Sequence, residues 1–468
     1  MFRQHGRLDQ SKHSSDPEYL VKKHETKSVV FPVLSFTASA GRLISNKILP
    51  RVYSHGLQLL LITLFLLVPF SEDNEKNVRT LAAVYATVET TPVLNPPDSA
   101  DDIAIWIHPT DTSLSTLIGT DKKGYLEVYD LQGNVLQRIP LMTNNVDLRY
   151  NFPLGGEKVA LVTGVNRTAS RWFAYKVNPA TRLLEDVSAY NLSISGILGS
   201  AMYVSPITQK YYAFTNLDNV LKQYELFDDG SGKVAANLVR TVTFGSFIDK
   251  TEGVVADDIY GTVYASEEWV AIWKLGAEPG DGDAKVMVDK PISEGGHFQP
   301  DVEGLAIYYK SDGKGYLIAS SQGDGTYVVY RREGNNDYRG TFNIADGAID
   351  KVSGTDGIDV TNFPLGSAFP YGVFIAQDGV NLDGSVTRNQ NFKLVPFESI
   401  ASALNLTMDT SWDPRRVGVD HFPTPTPGPS STSTPTKTPT PRYSPTPTRT
   451  PSDFSYMPII NFRARVDQ

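Results

Sequence analysis

An all-β chain closed into a six-bladed β-propeller is the fold the sequence predicts, on three observations. Six short segments alternate apolar with polar residues and end on an aromatic side chain, and each follows a second strand-like run. Nothing between them keeps the 3.6-residue period of a long helix. The aromatic-ended segments are 124–130, 171–177, 220–226, 269–275, 325–331 and 391–397. The runs ahead of them are 116–119, 158–163, 211–215, 261–265, 315–319 and 372–376. Alternation with a period of two gives each strand one buried face, which β-branched and aromatic residues suit. The markers Tyr129, Tyr175, Tyr224, Trp273, Tyr330 and Phe397 follow one another at intervals of 46, 49, 49, 57 and 67 residues. A unit of that size holds four short strands, and six such units close radially in a way that protects their edges better than a sandwich does.

The remaining composition sets limits. Lysine and arginine number 43 against 52 aspartate and glutamate in the 468 residues, a net charge of -9. No nucleic-acid partner is expected from that balance, although a local cationic pocket for a polyanion fits within it. The absence of cysteine excludes disulfides, thiolate metal sites and cysteine nucleophiles. Residues 1–94 read as a polar N-terminal region around the apolar run 57–70, whose 14 residues fall short of the roughly 20 that span a bilayer. Such a run suits the core of an export signal, with an uncleaved anchor or a buried helix as the alternatives. The propeller is assigned to residues 95–419. Ten prolines and ten threonines between 423 and 451 make 420–453 an extended linker, because proline removes backbone donors and nothing there can be buried. Residues 454–468 form a short apolar and basic tail, which reads equally as a tag that contacts a cell surface or as a frayed end. The protein is expected to be secreted or surface-associated, and monomeric.

Acidic side chains gather in short segments, most of them punctuated by glycine: Asp101 and Asp102; Asn144, Asn145 and Asp147; Glu252 before Gly253; Glu267 and Glu268; Asp301 and Glu303; Asp356 and Asp359. Most stand at strand ends, where a propeller aims them at its axis or one face. Hard oxygen ligands from several blades are what Ca²⁺ takes. Each segment alone reads more readily as a solvated turn; their recurrence at blade spacing is what points to a site. Lys122, Lys123, Arg167 and Lys210 lie among them. Cations beside metal-holding carboxylates suit a highly phosphorylated small molecule, attacked by a metal-bound water with no covalent enzyme intermediate. Solvated turns are the plain alternative for Lys122, Lys123 and Arg167. His297, shortly before Asp301, is a candidate for the rim, whereas His108 fits a turn or core hydrogen bond. Arg3, His5, Gly6 and Arg7 are similar to the Arg-His-Gly-x-Arg stretch of histidine acid phosphatases, but Gln4 interrupts it and it precedes the apolar run, so it is given no role. Asn166, Asn191 and Asn405 open formal glycosylation acceptors.

The segments 101–109, 119–124, 144–150, 251–253, 301–305, 320–323, 355–360 and 376–379 together closely resemble the β-propeller phytases, also called alkaline or 3-phytases, over roughly residues 95–418. The resemblance implies a six-bladed propeller that removes phosphate from myo-inositol hexakisphosphate (phytate) with the help of several Ca²⁺ ions, taking calcium-phytate as substrate and leaving lower inositol phosphates. It places Asp102, Asn145, Glu252, Glu267, Glu303 and Tyr203 near the catalytic calciums, with Glu268 not distinguished from its neighbour. Lys122, Lys123, Arg167 and Lys210 would contact phosphate, and Asp301, Gln322, Asp356 and Asp359 would be further metal-binding or site-facing positions. Of these, Lys122, Arg167, Glu252 and Tyr203 are the expected catalytic residues. Three departures stand out: Leu141, Met142 and Thr143 replace the usual Gly-Arg-Met, residues 197–200 replace Val-Tyr-Gly-Phe, and Ile103 replaces a proline. Losing a guanidinium removes a fixed fork of donors, so lower activity or a shift to less phosphorylated inositols is expected. The competing readings are another propeller hydrolase, such as a phosphodiesterase or a lactonase, and a non-enzymatic extracellular binding module.

Overall fold

The structure, a computed structural model, describes residues 81–417 apart from 192, 195–197 and 246–249. The run 57–70, the stretch 3–7, the linker 420–453 and the tail 454–468 lie outside the described residues.

Chain order begins with two short strands, β1 (Leu81–Val84) and β2 (Val88–Glu89). Five antiparallel four-stranded blades follow in sequence. Blade 1 is β3 (Ala100–Trp106), β4 (Thr116–Asp121), β5 (Tyr125–Asp130) and β6 (Val135–Pro140); blade 2 is β7 (Val146–Leu154), β8 (Glu157–Asn166), β9 (Arg171–Val177) and β10 (Leu184–Asp186). Blade 3 is β11 (Ser200–Val204), β12 (Tyr211–Leu217), β13 (Val220–Asp228) and β14 (Val234–Thr243); blade 4 is β15 (Thr251–Asp257), β16 (Thr262–Glu267), β17 (Ala271–Gly276) and β18 (Lys285–Asp289). Blade 5 is β19 (Val302–Tyr309), β20 (Gly315–Ser321), β21 (Thr326–Arg331) and β22 (Tyr338–Ile344). Blade 6 has β23 (Ile358–Thr361), β24 (Val373–Asp378) and, after the small hairpin β25 (Leu382–Asp383) and β26 (Val386–Thr387), β27 (Asn391–Pro396).

The fold is the six-bladed propeller that the repeat predicts. Both strands identified in each unit are the second and third of a blade, because these are the strands covered on both faces by neighbouring blades. The fourth strand of blade 6 is β2, antiparallel to β27, while β1 adds in parallel to β22 of blade 5. The ring is therefore closed by residues that precede residue 95, and these two short strands carry no repeat signal of their own. Phe397 does not end a strand but opens the helix α1 (Phe397–Ala403), with its ring stacked 3.8 Å from that of Tyr308.

Apolar side chains fill the spaces between blades. Between blades 5 and 6, Tyr327, Phe342 and Phe374 meet with ring centroids 5.0–5.3 Å apart. Each such buried ring contributes about 1.5–3 kcal/mol by area alone. The inner strands β3, β7, β15, β19 and β23 line an axial channel of about 140 Å³. The inner strands all begin at one face of the ring, the upper face, and end at the lower. The lower mouth is crossed by residues 409–417. Asn362 donates to the carbonyls of Asp409 and Trp412 (2.9 Å each), Asn151 to those of Arg415 and Val417 (2.6 and 2.8 Å), and the indole of Trp412 stacks on Tyr309.

Candidate active site

The upper ends of the inner strands carry the acidic segments, and hydrogen bonds across the blade seams fix their order. Gly357 N–H donates to Asp101 O (2.8 Å), Gly304 N–H to Asp356 O (2.8 Å) and Val302 N–H to Glu268 O (2.9 Å). Polar side chains near the upper end of each second strand add to this. Thr120 Oγ1 accepts from Asp102 N–H (2.9 Å) and donates to Asn144 O (2.6 Å). Ser320 Oγ donates to Thr355 O (2.8 Å), and Gln377 Oε1 accepts from Asp356 N–H (2.8 Å). The backbone beneath each carboxylate is thus held by a blade interior and not by a free loop.

Carboxylate oxygens of Glu252, Glu268 and Glu303 all lie within 4.8 Å of one another. Glu268 and Glu303 are buried and Glu252 is half-buried. Two like charges about 4 Å apart repel by roughly 4 kcal/mol at an effective dielectric near 20, so three ionised carboxylates cannot coexist here without cations or protons. The proton affinities say the same. Burial, the charge of Asp101 and a proton shared with Glu268 push Glu252 up to about 9. Burial and the charge of Glu252 raise Glu303 well above the carboxylate range. Asp101 is pushed up to about 8 by burial, against the pull of Lys122. Burial takes Asp102 to about 7, although Asn145 and Val146 N–H bond its carboxylate.

At the joint of blades 1 and 6 lies Lys122. Its Nζ stands 2.7 Å from Asp98, 3.0 Å from Asp101 and 3.0 Å from Asp356. Burial would depress its pKa, but Asp101 and Asp356 outweigh burial and raise it, so it keeps its proton. Gln322 Nε2 donates to the other oxygen of Asp356 (2.7 Å), and Gln322 N–H to Asp301 O (2.8 Å), which brings both into the same network. Lys250, 3.4 Å from Glu268, is a rim cation not singled out from the sequence.

Other expected residues lie elsewhere. Glu267 accepts from the indole of Trp273 at 2.7 Å, whereas its neighbour Glu268 lies with Glu252 and Glu303. Asp359 faces the channel, accepts from Ile105 N–H (2.9 Å) and is pushed to about 7 by burial and the charge of Asp147. Tyr203 does not join the acids. Its hydroxyl donates to Glu278 (2.6 Å) and lies beside Gly261, beyond the lower end of β15, whose upper end carries Glu252. Five residues of strand, about 16 Å, separate those ends. Lys210 pairs with Glu225 (2.8 Å) in the exposed lower turn between β11 and β12. His297 stacks on Tyr338 (3.9 Å) and pairs with Asp289 (3.2 Å) at the perimeter. These three are not brought to the site. Lys123 reaches the Pro97 carbonyl, and Arg167 is exposed, with its N–H on the carbonyl of Met142 (2.8 Å). Met142, itself 40% exposed, therefore adjoins Arg167 on the rim.

The donor set is all oxygen: three crowded carboxylates, and the side-chain carbonyls of Asn144 and Asn145, both buried without a hydrogen-bond partner among the described residues. A hard cation fits such a set, and thiolate or imidazole chemistry does not. A propeller whose upper face joins surplus carboxylates to lysines has the groups that a metal-assisted hydrolase of anionic esters uses. Comparison with known proteins narrows the class. The model of the family described as Phytase matches residues 52–419, and a 3-phytase of Bacillus subtilis (strain 168) is 45% identical over 330 residues, 69% of this chain and 85% of the relative. The chain belongs to the phytase family. The match starts well before residue 95, in keeping with the place of β1 and β2 in the ring. A solved protein of unknown function from Bacteroides thetaiotaomicron is 10% identical, with 68% of this chain and 74% of the other covered at a TM-score of 0.38.

Proposed function

We propose that this protein hydrolyses phosphomonoesters of phytate, releasing inorganic phosphate and lower inositol phosphates, with several Ca²⁺ ions held at the upper face. The observation that carries the reading is the cluster of Glu252, Glu268 and Glu303, whose mutual repulsion only cations or protons can relieve. Those three residues, with Asp102, Asn145, Asp301, Gln322 and Asp356, form the proposed metal-holding set. Calcium bound there would neutralise phosphate oxygens and acidify a water molecule. The protein's own groups do the rest. Lys122, still protonated, directs its donors at three carboxylates; once those hold cations its ammonium can turn to a phosphate oxygen. Lys123 and Arg167 stand on the exposed rim, where a second phosphate of the same ring is met. Met142 beside Arg167 puts a thioether on that rim, where it accepts from the Thr168 hydroxyl at 3.0 Å, which suits a substrate with fewer phosphates on that side. Export of the protein and action as a monomer complete the reading.

The test is phosphate release from sodium phytate at neutral pH by the full chain, with added Ca²⁺ or with excess chelator. Calcium-dependent release is expected. A folded, calcium-loaded protein that releases none would overturn the reading and favour a binding role.

A further inference from the structure

Among the second-strand side chains, Asn216 bridges a seam with its two bonds. Its Oδ1 accepts from Gly199 N–H of its own blade at 2.5 Å, and its Nδ2 donates to the main-chain carbonyl of Glu252 in the next blade at 2.9 Å. The side chain is 1% exposed. The Glu252 carbonyl comes so close to Gly199 that a methyl group there would stand 1.7 Å from it. Glycine and amide together therefore seat the Glu252 backbone in one position. Thr120 treats Asn144, and Ser320 treats Thr355, in the same way. The arrangement thus belongs to the ring and not to one accident of packing.

We infer that Asn216 is a positioning residue for Glu252: by fixing that carbonyl it sets where the Glu252 carboxylate meets those of Glu268 and Glu303, and so sets the affinity of the cluster for a divalent cation. The inference rests on the proposed function and names a residue that would never touch metal or substrate. Partners one step behind a metal ligand typically change affinity about 10–100-fold when removed.

The experiment titrates the chelated, full-length protein with Ca²⁺ by calorimetry, alongside melting temperature and phytate kinetics. Asn216→Ala is expected to bind calcium at least about tenfold more weakly. Asn216→Ser, whose hydroxyl keeps one bond of the two, is expected to fall between it and wild type with a near-native melting temperature. Asn191→Ala is the control, because the exposed Asn191 also bonds backbone through both ends of its amide, to the N–H and the carbonyl of Ala236, at 2.9 Å each. It should lose stability without losing calcium affinity. Wild-type affinity in Asn216→Ala, or an equal loss in Asn191→Ala, overturns the inference while leaving phytate hydrolysis by the wild type standing. If the alanine variant does not fold, unchanged affinity in Asn216→Ser overturns it in the same way. A wild type that binds no calcium overturns both this inference and the function on which it rests.

Discussion

Strand β15 carries acid at both ends in opposite states. At its lower end Asp257 is gripped by Arg332 through two bonds of 2.5 and 2.6 Å, and Asp258 just beyond takes Arg149 Nε at 2.7 Å. The Arg332 guanidinium also lies 4.5 Å from the rings of Tyr260 and Tyr309. At the upper end Glu252 faces two further glutamates, and the rim lysine Lys250, 3.4 Å from Glu268, feels the charges of Glu252 and Glu303 as well. The pairing at the lower end is complete and rigid, which is what a structural joint needs. The upper end sets one lysine against three carboxylates and so keeps an affinity for cations in reserve.

Four predictions break or sharpen that contrast, from the largest effect to the smallest. Arg332→Ala strands a buried Asp257 and should cost about 3–5 kcal/mol of stability in chemical denaturation, with calcium affinity unchanged; a loss below 1 kcal/mol would erase the distinction between the two ends. Glu252→Gln should lower calcium-dependent phosphate release by roughly 10²-fold or more, on the scale of removing one electrostatic element of an active site. At about pH 9 and above, where Glu252 is ionised, the same change should raise the melting temperature of the chelated protein, because it removes a like charge; a fall there would show that Glu252 is paired after all.

The third prediction concerns pH. Folded-state pKa values of about 9 for Glu252 and about 7 for Asp102 and Asp359 lie above those of the unfolded chain, near 4. Between these limits the metal-free native protein holds more protons than the unfolded chain, so stability is greatest below about pH 4 for these groups and is lost as pH rises through 7 and 9. Melting of the chelated protein should therefore drop between pH 5 and 9, and saturating calcium should abolish the drop. A flat profile in chelator would contradict the crowding. The smallest effect belongs to Tyr203→Phe, which loses one hydrogen bond to Glu278 and should cost about 1 kcal/mol with kcat unchanged; a large fall in kcat would return Tyr203 to the chemistry.

Much of this was legible in the sequence. Second and third strands stood out because both their faces are covered, and Asp102, Glu252, Glu303, Asp356 and Lys122 stood out because acids and cations recur where apolar runs break. The spacing could not say to which end of a strand a residue belongs. Tyr203 and Lys210 carry the right chemistry, but a few residues of extended chain move a side chain from the upper face to the lower. Closing strands as short as β2 leave no pattern. Thr120, Asn216, Ser320 and Gln377 were missed as well, although each is a polar residue just short of the end of a buried run, a signal that appears once the units are set in register.

The closure of blade 6 has a temporal side. Phe392 N–H in β27 bonds the hydroxyl of Thr90, just beyond β2, across 302 residues of chain. During synthesis the ring is an open arc until β27 has been made, and Lys122 and Asp356, which meet across that last seam, are strangers until then. The joint of Lys122 with Asp356 is therefore completed late, and no fragment that stops short of blade 6 contains it, whereas Glu252, Glu268 and Glu303 already stand on blades 4 and 5.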